Sequence, residues 1–191
     1  MDMETASTNL AGKLLIAMPG MLDPRFDHSV VFLCAHSEEG SMGLVVNKPA
    51  GDIGLADLFK QLDIPTGPET AEQQIFYGGP VEMGRGFVLH SGEYGIDAGT
   101  LKVNETFAMT ATKEVLEDIA TGQGPRATLP ALGYAGWGPG QLEREIRDNA
   151  WLTAEADQQI VFATDIAGKW EAALAKLGIS PLALSAEGGR A

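Results

Sequence analysis

Apolar residues recur along this chain in two rhythms, short dense runs and a helical spacing, and the rhythms divide it into elements. Lys13 to Met18 reads as a strand. His28 to His36 (HSVVFLCAH) reads as a second, with Val30, Phe32 and Cys34 on one face and Val31, Leu33 and Ala35 on the other. Both faces are apolar, so this strand is expected to be central and covered on both sides. Ser37 to Ser41 is a turn and Met42 to Asn47 a third strand, the two strands forming a hairpin. Leu55, Leu58, Phe59 and Leu62 then repeat at helical spacing, with Asp52 as the expected cap.

Pro65, Gly67 and Pro68 mark Asp63 to Glu72 as a loop. Gln74 to Tyr77 and Gly86 to His90 read as short strands on either side of a Gly-Gly-Pro turn. Ser91 to Gly99 is a glycine-rich excursion, and Phe107 to Thr110 another strand. Val115, Leu116 and Ile119 build a helix over 112–121 that Gly122 stops. Thr128 to Ala135 reads as a strand that Pro130 places at an edge or a bulge. Gln141 to Ala150 is a helix with Leu142, Ile146 and Ala150 inward and Glu143 and Arg147 as a surface pair. Gln159 to Ala163 reads as a strand. Asp165 caps a last helix carrying Ile166, Trp170, Leu174 and Leu177, with Gly178 just past its end. Strands come first in a run and then mix with helices, which is the pattern of an α+β domain. Residues 1–11 and 179–191 read as a flexible start and a loose tail around one domain over 12–178.

Charge narrows the function. Thirteen Lys and Arg face 26 Asp and Glu, for a formal net charge of −13 over 191 residues. Such a field repels nucleic acid and anionic membranes, so direct contact with either is not expected. A single cysteine excludes an intramolecular disulfide and any multi-cysteine metal site. With no secretory pattern legible, the chain reads as cytoplasmic.

Few residue groupings suggest chemistry, and each has a plain structural reading beside it. Gly133 to Gly140 (GYAGWGPG) runs into the helix at Gln141, where free backbone N–H groups can hold an anion. Glu143 and Glu145 in the same helix start oppose a phosphate, and a tight turn that lets Trp137 pack is the better reading. Cys34 and His36 stand two apart on a strand and are expected on one face, but the apolar surroundings of Cys34 favour a buried, neutral thiol. His36, His90, Asp23 and Asp27 could form an acid–base or metal cluster, yet no metal-ligand spacing is present. Lys48, Arg25 and Arg85 could make a local positive pocket or stand as separate surface charges. No cofactor loop is present, and neither cofactor nor metal is expected.

Several stretches match a known pattern in order. GKLLIAMPGMLDPRF (12–26), Ser29-Val-Val with His36, and MGLVVNKP (42–49) open it. YGGPV (77–81) and GFVLHS (86–91) follow, then GYAGWGPGQLE (133–143) with Glu145 and NAWL (149–152). The chain resembles the YqgE/AlgH family from about Gly12 to Gly178. Ser41 departs from the family's usual Ala, and Asp27-His28 from a more variable, often basic, pair. The resemblance implies a bacterial cytoplasmic protein without an agreed activity, folded as a single α+β domain with a strongly bent, barrel-like mixed sheet flanked by helices. One member carries a transcriptional-regulator name. The motif loops are expected to line one cleft built from Pro19, Asp23, Phe26, His36, Asn47, Lys48, Gly79, Pro80, Trp137, Gly140, Gln141 and Glu143. The leading expectation is a non-enzymatic regulatory or binding protein acting through a small ligand or a protein partner. The alternatives are a transcriptional regulator and an enzyme of unrecognised type, hydrolysis being one option, using His36 or His90 with Asp23.

Overall fold

A strand with two apolar faces needs cover on both, and the architecture follows from supplying it. The structure, a computed structural model, describes residues 9–21, 23–65 and 73–180. The segments read as loose at 1–8 and 181–191, and the loop residues 66–72, lie outside the described residues.

A ten-stranded sheet forms the centre. Its strands are β1 (Lys13–Ala17), β2 (Val30–Ser37), β3 (Gly40–Val45), β4 (Pro49–Gly54), β5 (Gln74–Tyr77), β6 (Val81–Ser91), β7 (Thr100–Lys102), β8 (Phe107–Thr110), β9 (Thr128–Trp137) and β10 (Trp151–Glu155). The main path runs β10-β1-β2-β3-β9-β6-β8-β7, with β5 on β9 and β4 on β5. The β5–β9 pair is parallel and the rest are antiparallel, so the sheet is mixed. The sheet curls strongly into a half-barrel. Phe32 on β2 and Phe107 on β8 have three strands between them in the sheet order, yet their rings lie 4.7 Å apart. Only a curled sheet brings them together, and theirs is the concave face.

Helices are α1 (Leu55–Gln61), α2 (Lys113–Ala120), α3 (Gln141–Arg147), α4 (Gln158–Val161) and α5 (Lys169–Lys176). The concave face holds Leu14, Ile16, Val30, Phe32, Leu44 and Leu89, closed at one end by Ile160 and Val161 of α4 and Trp170 and Leu174 of α5. The convex face has two separate covers. Leu142 of α3 packs with Val31, Leu33, Trp137 and Trp151. Leu55 and Phe59 of α1 pack with Val88 and with Val115, Leu116 and Ile119 of α2. Each such fully buried side chain contributes about 1.5–3 kcal/mol of transfer free energy.

Four sequence expectations are corrected. Residues 158–161 form α4 rather than a strand, because Asp157 accepts a hydrogen bond from Ile160 N–H and starts a helix. Asp52 does not cap α1. Gly54 is the cap residue, and Asp57 accepts its N–H from inside the helix. Pro130 keeps the edge position read for it: at that residue β9 has only β6 beside it, the β5 pairing beginning at Ala131, so the missing N–H costs no ladder bond. Cys34 and His36 do not share a face. The β2–β3 register shifts between Leu33 and Ala35, and this bulge turns the strand over after Cys34. Finally, Glu143 does not pair with Arg147 but with His36. Cys34 keeps the structural role read for it: it is 2% exposed, and burial pushes its thiol up to about 12.

Lys169 is the costliest residue in the core. It is 1% exposed, with its Nζ donating to the carbonyls of Val46 and Val161 at 2.8 and 2.6 Å and lying 4.8 Å from the centre of the Phe76 ring. No carboxylate pairs with it among the described residues, and burial lowers its ammonium to about 8 from 10.5. Between those two values the unfolded chain binds more protons than the folded one, so this group makes stability rise with pH across that window. Urea unfolding at pH 7.5 and pH 10 is expected to show a rise in the parent relative to Lys169→Met of roughly 2–3 kcal/mol. Parallel pH dependences in the two proteins would contradict it.

Candidate functional site

The concave face is filled at one end and open at the other. The open end is a groove of about 1040 Å³. Its floor and walls come from β2, β3, β6, β8 and β9 and the segment entering β7, with Met42, Phe87, Met109 and Tyr134 as the large side chains. The space exists because small residues stand where bulk would close it: Ala35, Ala98, Gly99, Ala111 and Gly136. Arg85 reaches in from β6 and Glu39 from the β2–β3 turn. The ladder places Trp137 beside Ser41 at one end and Leu132 beside Gly86 toward the other, about 17 Å of strand. The hydroxyl of Thr112, at the start of α2, borders this groove, is buried and has no partner among the described residues. A mixed lining of apolar side chains and a few polar groups in the mouth of a curled sheet suits a small ligand.

The residues that the sequence singles out fall into three places. One is the aromatic clasp under α3. Phe26, Trp137 and Trp151 pack edge and face with ring centres 5.7–6.4 Å apart. Both indole N–H groups donate to the same Glu145 oxygen at 2.9 Å, and Gln141 donates to its other oxygen at 2.9 Å. Gln141 also accepts the N–H of Gly138, which closes the glycine-rich turn that leads through Gly140 into α3. The carboxylate at this helix start is therefore directed to indoles, and the turn serves Trp137.

The second place is the end of the sheet around 19–28. Asp23 caps the Pro24–Phe26 turn and holds Arg25 in a two-point contact, which lowers the carboxyl below its ordinary range. Asn47 clips the same segment by accepting from Val30 N–H and donating to the carbonyl of His28, and Lys48 donates to that of Asp27. Pro19 lies at the start of this segment. The third place is the turn at Gly79 and Pro80. Gly79 has a φ of +155°, and a Cβ there would meet the Tyr134 backbone at 2.1 Å, so no other residue lets these strands approach. Of the twelve expected residues only Trp137 borders the groove. Arg25, Lys48 and Arg85 have separate partners and do not form one basic pocket.

Of the three histidines, the two considered for chemistry, His36 and His90, are both tied. His36 Nε2 faces a Glu143 oxygen at 3.1 Å, and its Nδ1 faces Ser41 Oγ at 2.7 Å. A carboxylate can only accept, so in the neutral ring Nε2 carries the proton and Ser41 donates to Nδ1. That is the bonding order of a nucleophile, base and acid. Its placement differs from such a site. His36 and Ser41 face each other across β2 and β3, and although Ser41 also borders the groove with Ala35, Ser37 and Met42, His36 and Glu143 do not. The side chain of His36 is 4% exposed, and the three residues join α3 to the hairpin. His90 is fully buried, with Nδ1–H donating to the carbonyl of Ser91 and Nε2 accepting from Thr110 at 2.8 Å. Burial lowers its pKa and keeps it neutral. Neither histidine contacts Asp23, and among the described residues no three His, Cys, Asp or Glu side chains gather to hold a metal.

Little in the amino-acid pattern signals the groove. Its small residues lie on separate strands, and only the curl brings them together. The clasp makes a clear prediction. Replacing Glu145 with Leu strands two indole N–H groups and is expected to cost about 2–4 kcal/mol in denaturant unfolding, with loss of near-ultraviolet tryptophan ellipticity. Glu145→Gln keeps one carbonyl acceptor and costs less. Equal losses would mean that the carboxylate does not hold the indoles.

Comparison with known proteins agrees with this architecture. A family model described as AlgH-like (DUF179) matches residues 14–182. A UPF0301 protein of Ruegeria pomeroyi is 58% identical over 184 residues, covering 96% of this chain and 100% of the relative. One of Paracoccus denitrificans is 54% identical over 187 residues, covering 97% and 98%. The solution structure of the AlgH protein from Pseudomonas aeruginosa superposes with a TM-score of 0.78 at 44% identity, over 94% of this chain and 95% of that one. The crystal structure of protein DIP2367 from Corynebacterium diphtheriae shares the fold at 23% identity, with a TM-score of 0.71 over 87% and 86%. No helix among the described residues is long and apolar enough to cross a membrane. With its motifs, its curled sheet and these relatives in agreement, the chain belongs to the AlgH-like family.

Proposed function

We propose that this protein is a non-enzymatic binding protein whose small ligand occupies the groove on the concave face. The observation that carries this reading is the groove itself. It is a space of about 1040 Å³ at the mouth of the half-barrel, with methionine and aromatic side chains on its floor. The same face is packed solid at the other end by α4 and α5, so the opening is a local property built from small residues. The groupings that could support chemistry are engaged in holding the fold: Glu145 on its indoles, His90 on Thr110, and His36 between Ser41 and Glu143. A regulatory role would then run through ligand occupancy and what it changes for a partner. The net charge of −13 opposes direct contact with nucleic acid.

The test is native mass spectrometry on protein purified gently from a bacterial host, beside a variant with the groove filled. Gly136 suits the purpose. A Cβ there meets only the Tyr134 ring edge at 3.6 Å, and its φ lies outside the left-handed range, so Gly136→Trp adds bulk without backbone strain. A reproducible extra mass in the parent that is lost in Gly136→Trp is the expected result. An adduct of equal occupancy in both proteins would place the ligand elsewhere and overturn the reading.

A further inference from the structure

Arg85 is placed by an irregularity in the sheet. The β6–β9 register jumps from the Val81–Tyr134 pair to the Gly86–Leu132 pair, so residues 82–85 stand out of the ladder. Glu82 takes a φ of +48° to start this excursion, a strained conformation for a residue with a side chain. Gly133 lies beneath it with a φ of +78°. A Cβ there would meet the Gly79 carbonyl at 2.4 Å and the Met83 backbone at 3.2 Å, so the excursion is accommodated by a residue that only glycine fits. The strained residue and the required glycine together deliver one cation to the groove.

The guanidinium of Arg85 lies 5.1 Å from the centre of the Phe87 ring, on the groove lining. Its nearest carboxylate, Glu82, is 3.7 Å away, beyond hydrogen-bond distance, and is itself the acceptor for the Tyr134 hydroxyl at 3.3 Å. Among the described residues no acceptor takes a hydrogen bond from Arg85. Its side chain is 56% exposed, and the guanidinium thus lies over a ring with its donors free of protein acceptors among the described residues, beside an apolar floor of Phe87, Met42 and Met109. In a chain of net charge −13, Arg85 is the one basic side chain of this groove. The acidic Glu39 belongs to the β2–β3 turn, toward the end where Trp137 meets Ser41.

We infer that the groove is selective for amphipathic organic anions, with an apolar body on the Met42–Phe87–Met109 floor and a single carboxylate-like or sulfonate-like headgroup paired with Arg85. This rests on the groove being a ligand site. A guanidinium offers such a headgroup two parallel N–H donors, and its place over the Phe87 ring sets it at the edge of the apolar floor. The surrounding acidic field discourages anions everywhere else, so selectivity depends on this one side chain.

Two dyes with the same ring system test it. Anilinonaphthalene sulfonate carries the anionic headgroup, and N-phenyl-1-naphthylamine is the same body without it. Fluorescence titration of both is made on the parent, Arg85→Gln and Gly136→Trp, each first shown to unfold cooperatively. The parent is expected to bind both dyes. Arg85→Gln is expected to weaken the sulfonate about ten-fold and leave the neutral dye within two-fold. Gly136→Trp is expected to weaken both. A sulfonate affinity unchanged in Arg85→Gln, or an equal fall for both dyes, overturns the anion selectivity while leaving the groove as a site. Neutral-dye binding that is absent from the parent or indifferent to Gly136→Trp overturns the groove reading beneath it.

Discussion

Strand β9 hydrogen-bonds to three other strands, and the rest of the structure is arranged around that constraint. It is antiparallel to β3 and β6 and parallel to β5, so it joins the two halves of the sheet. Strands brought together at one place must approach closely, which is why Gly79 and Gly133 meet there with no room for a side chain. The curl that follows creates an inside and an outside. Inside, Phe32 meets Phe107 across three strands. Outside, the convex face is too strongly bent for one helix to cover, and α3 covers one half while α1 and α2 cover the other.

Two departures from regular pairing then shape the surface that faces a ligand. The bulge after Leu33 turns β2 over, sending His36 under α3 and Ala35 and Ser37 toward the groove. The excursion at 82–85 pushes Arg85 into the opposite wall. Neither is needed for the core, which is already closed by α4 and α5 at the other end. Such irregularities re-aim side chains at a cost in ladder hydrogen bonds, and their position at the open mouth fits a surface kept for binding.

Sequence and structure agree best where an element is governed by its own residues. The strands at 13–17, 107–110 and 74–77 and the helix over 113–120 needed only local apolar pattern and a stop signal. The pattern is too short for β4, β7 and β10, where the sequence predicts no element and a neighbouring strand supplies the pairing. At 158–161 a brief apolar run predicts a strand, and the signal that decides for a helix is Asp157 ahead of it. Partners from distant parts of the chain could not be read at all. Glu143 has Arg147 one turn away, but takes His36, because the helix lies on the hairpin. The motif residues pointed to loops that matter structurally, such as Asn47 and Trp137. The groove is different in kind. It is made of what is missing at Ala35, Ala111 and Gly136, and an absence of bulk on separate strands has no local signature.

The central claim is that the open end of the half-barrel is where small molecules bind. The seven methionines make that directly observable. Met42 and Met109 lie in the groove, whereas Met18 and Met21 lie by the segment around 19–28. With the methionine methyls isotopically labelled, a small-molecule extract of the bacterial host can be titrated while their NMR resonances are followed. The account predicts saturable shifts at Met42 and Met109 with Met18 and Met21 unmoved. Shifts centred on Met18 and Met21, or none at the groove pair, would contradict it.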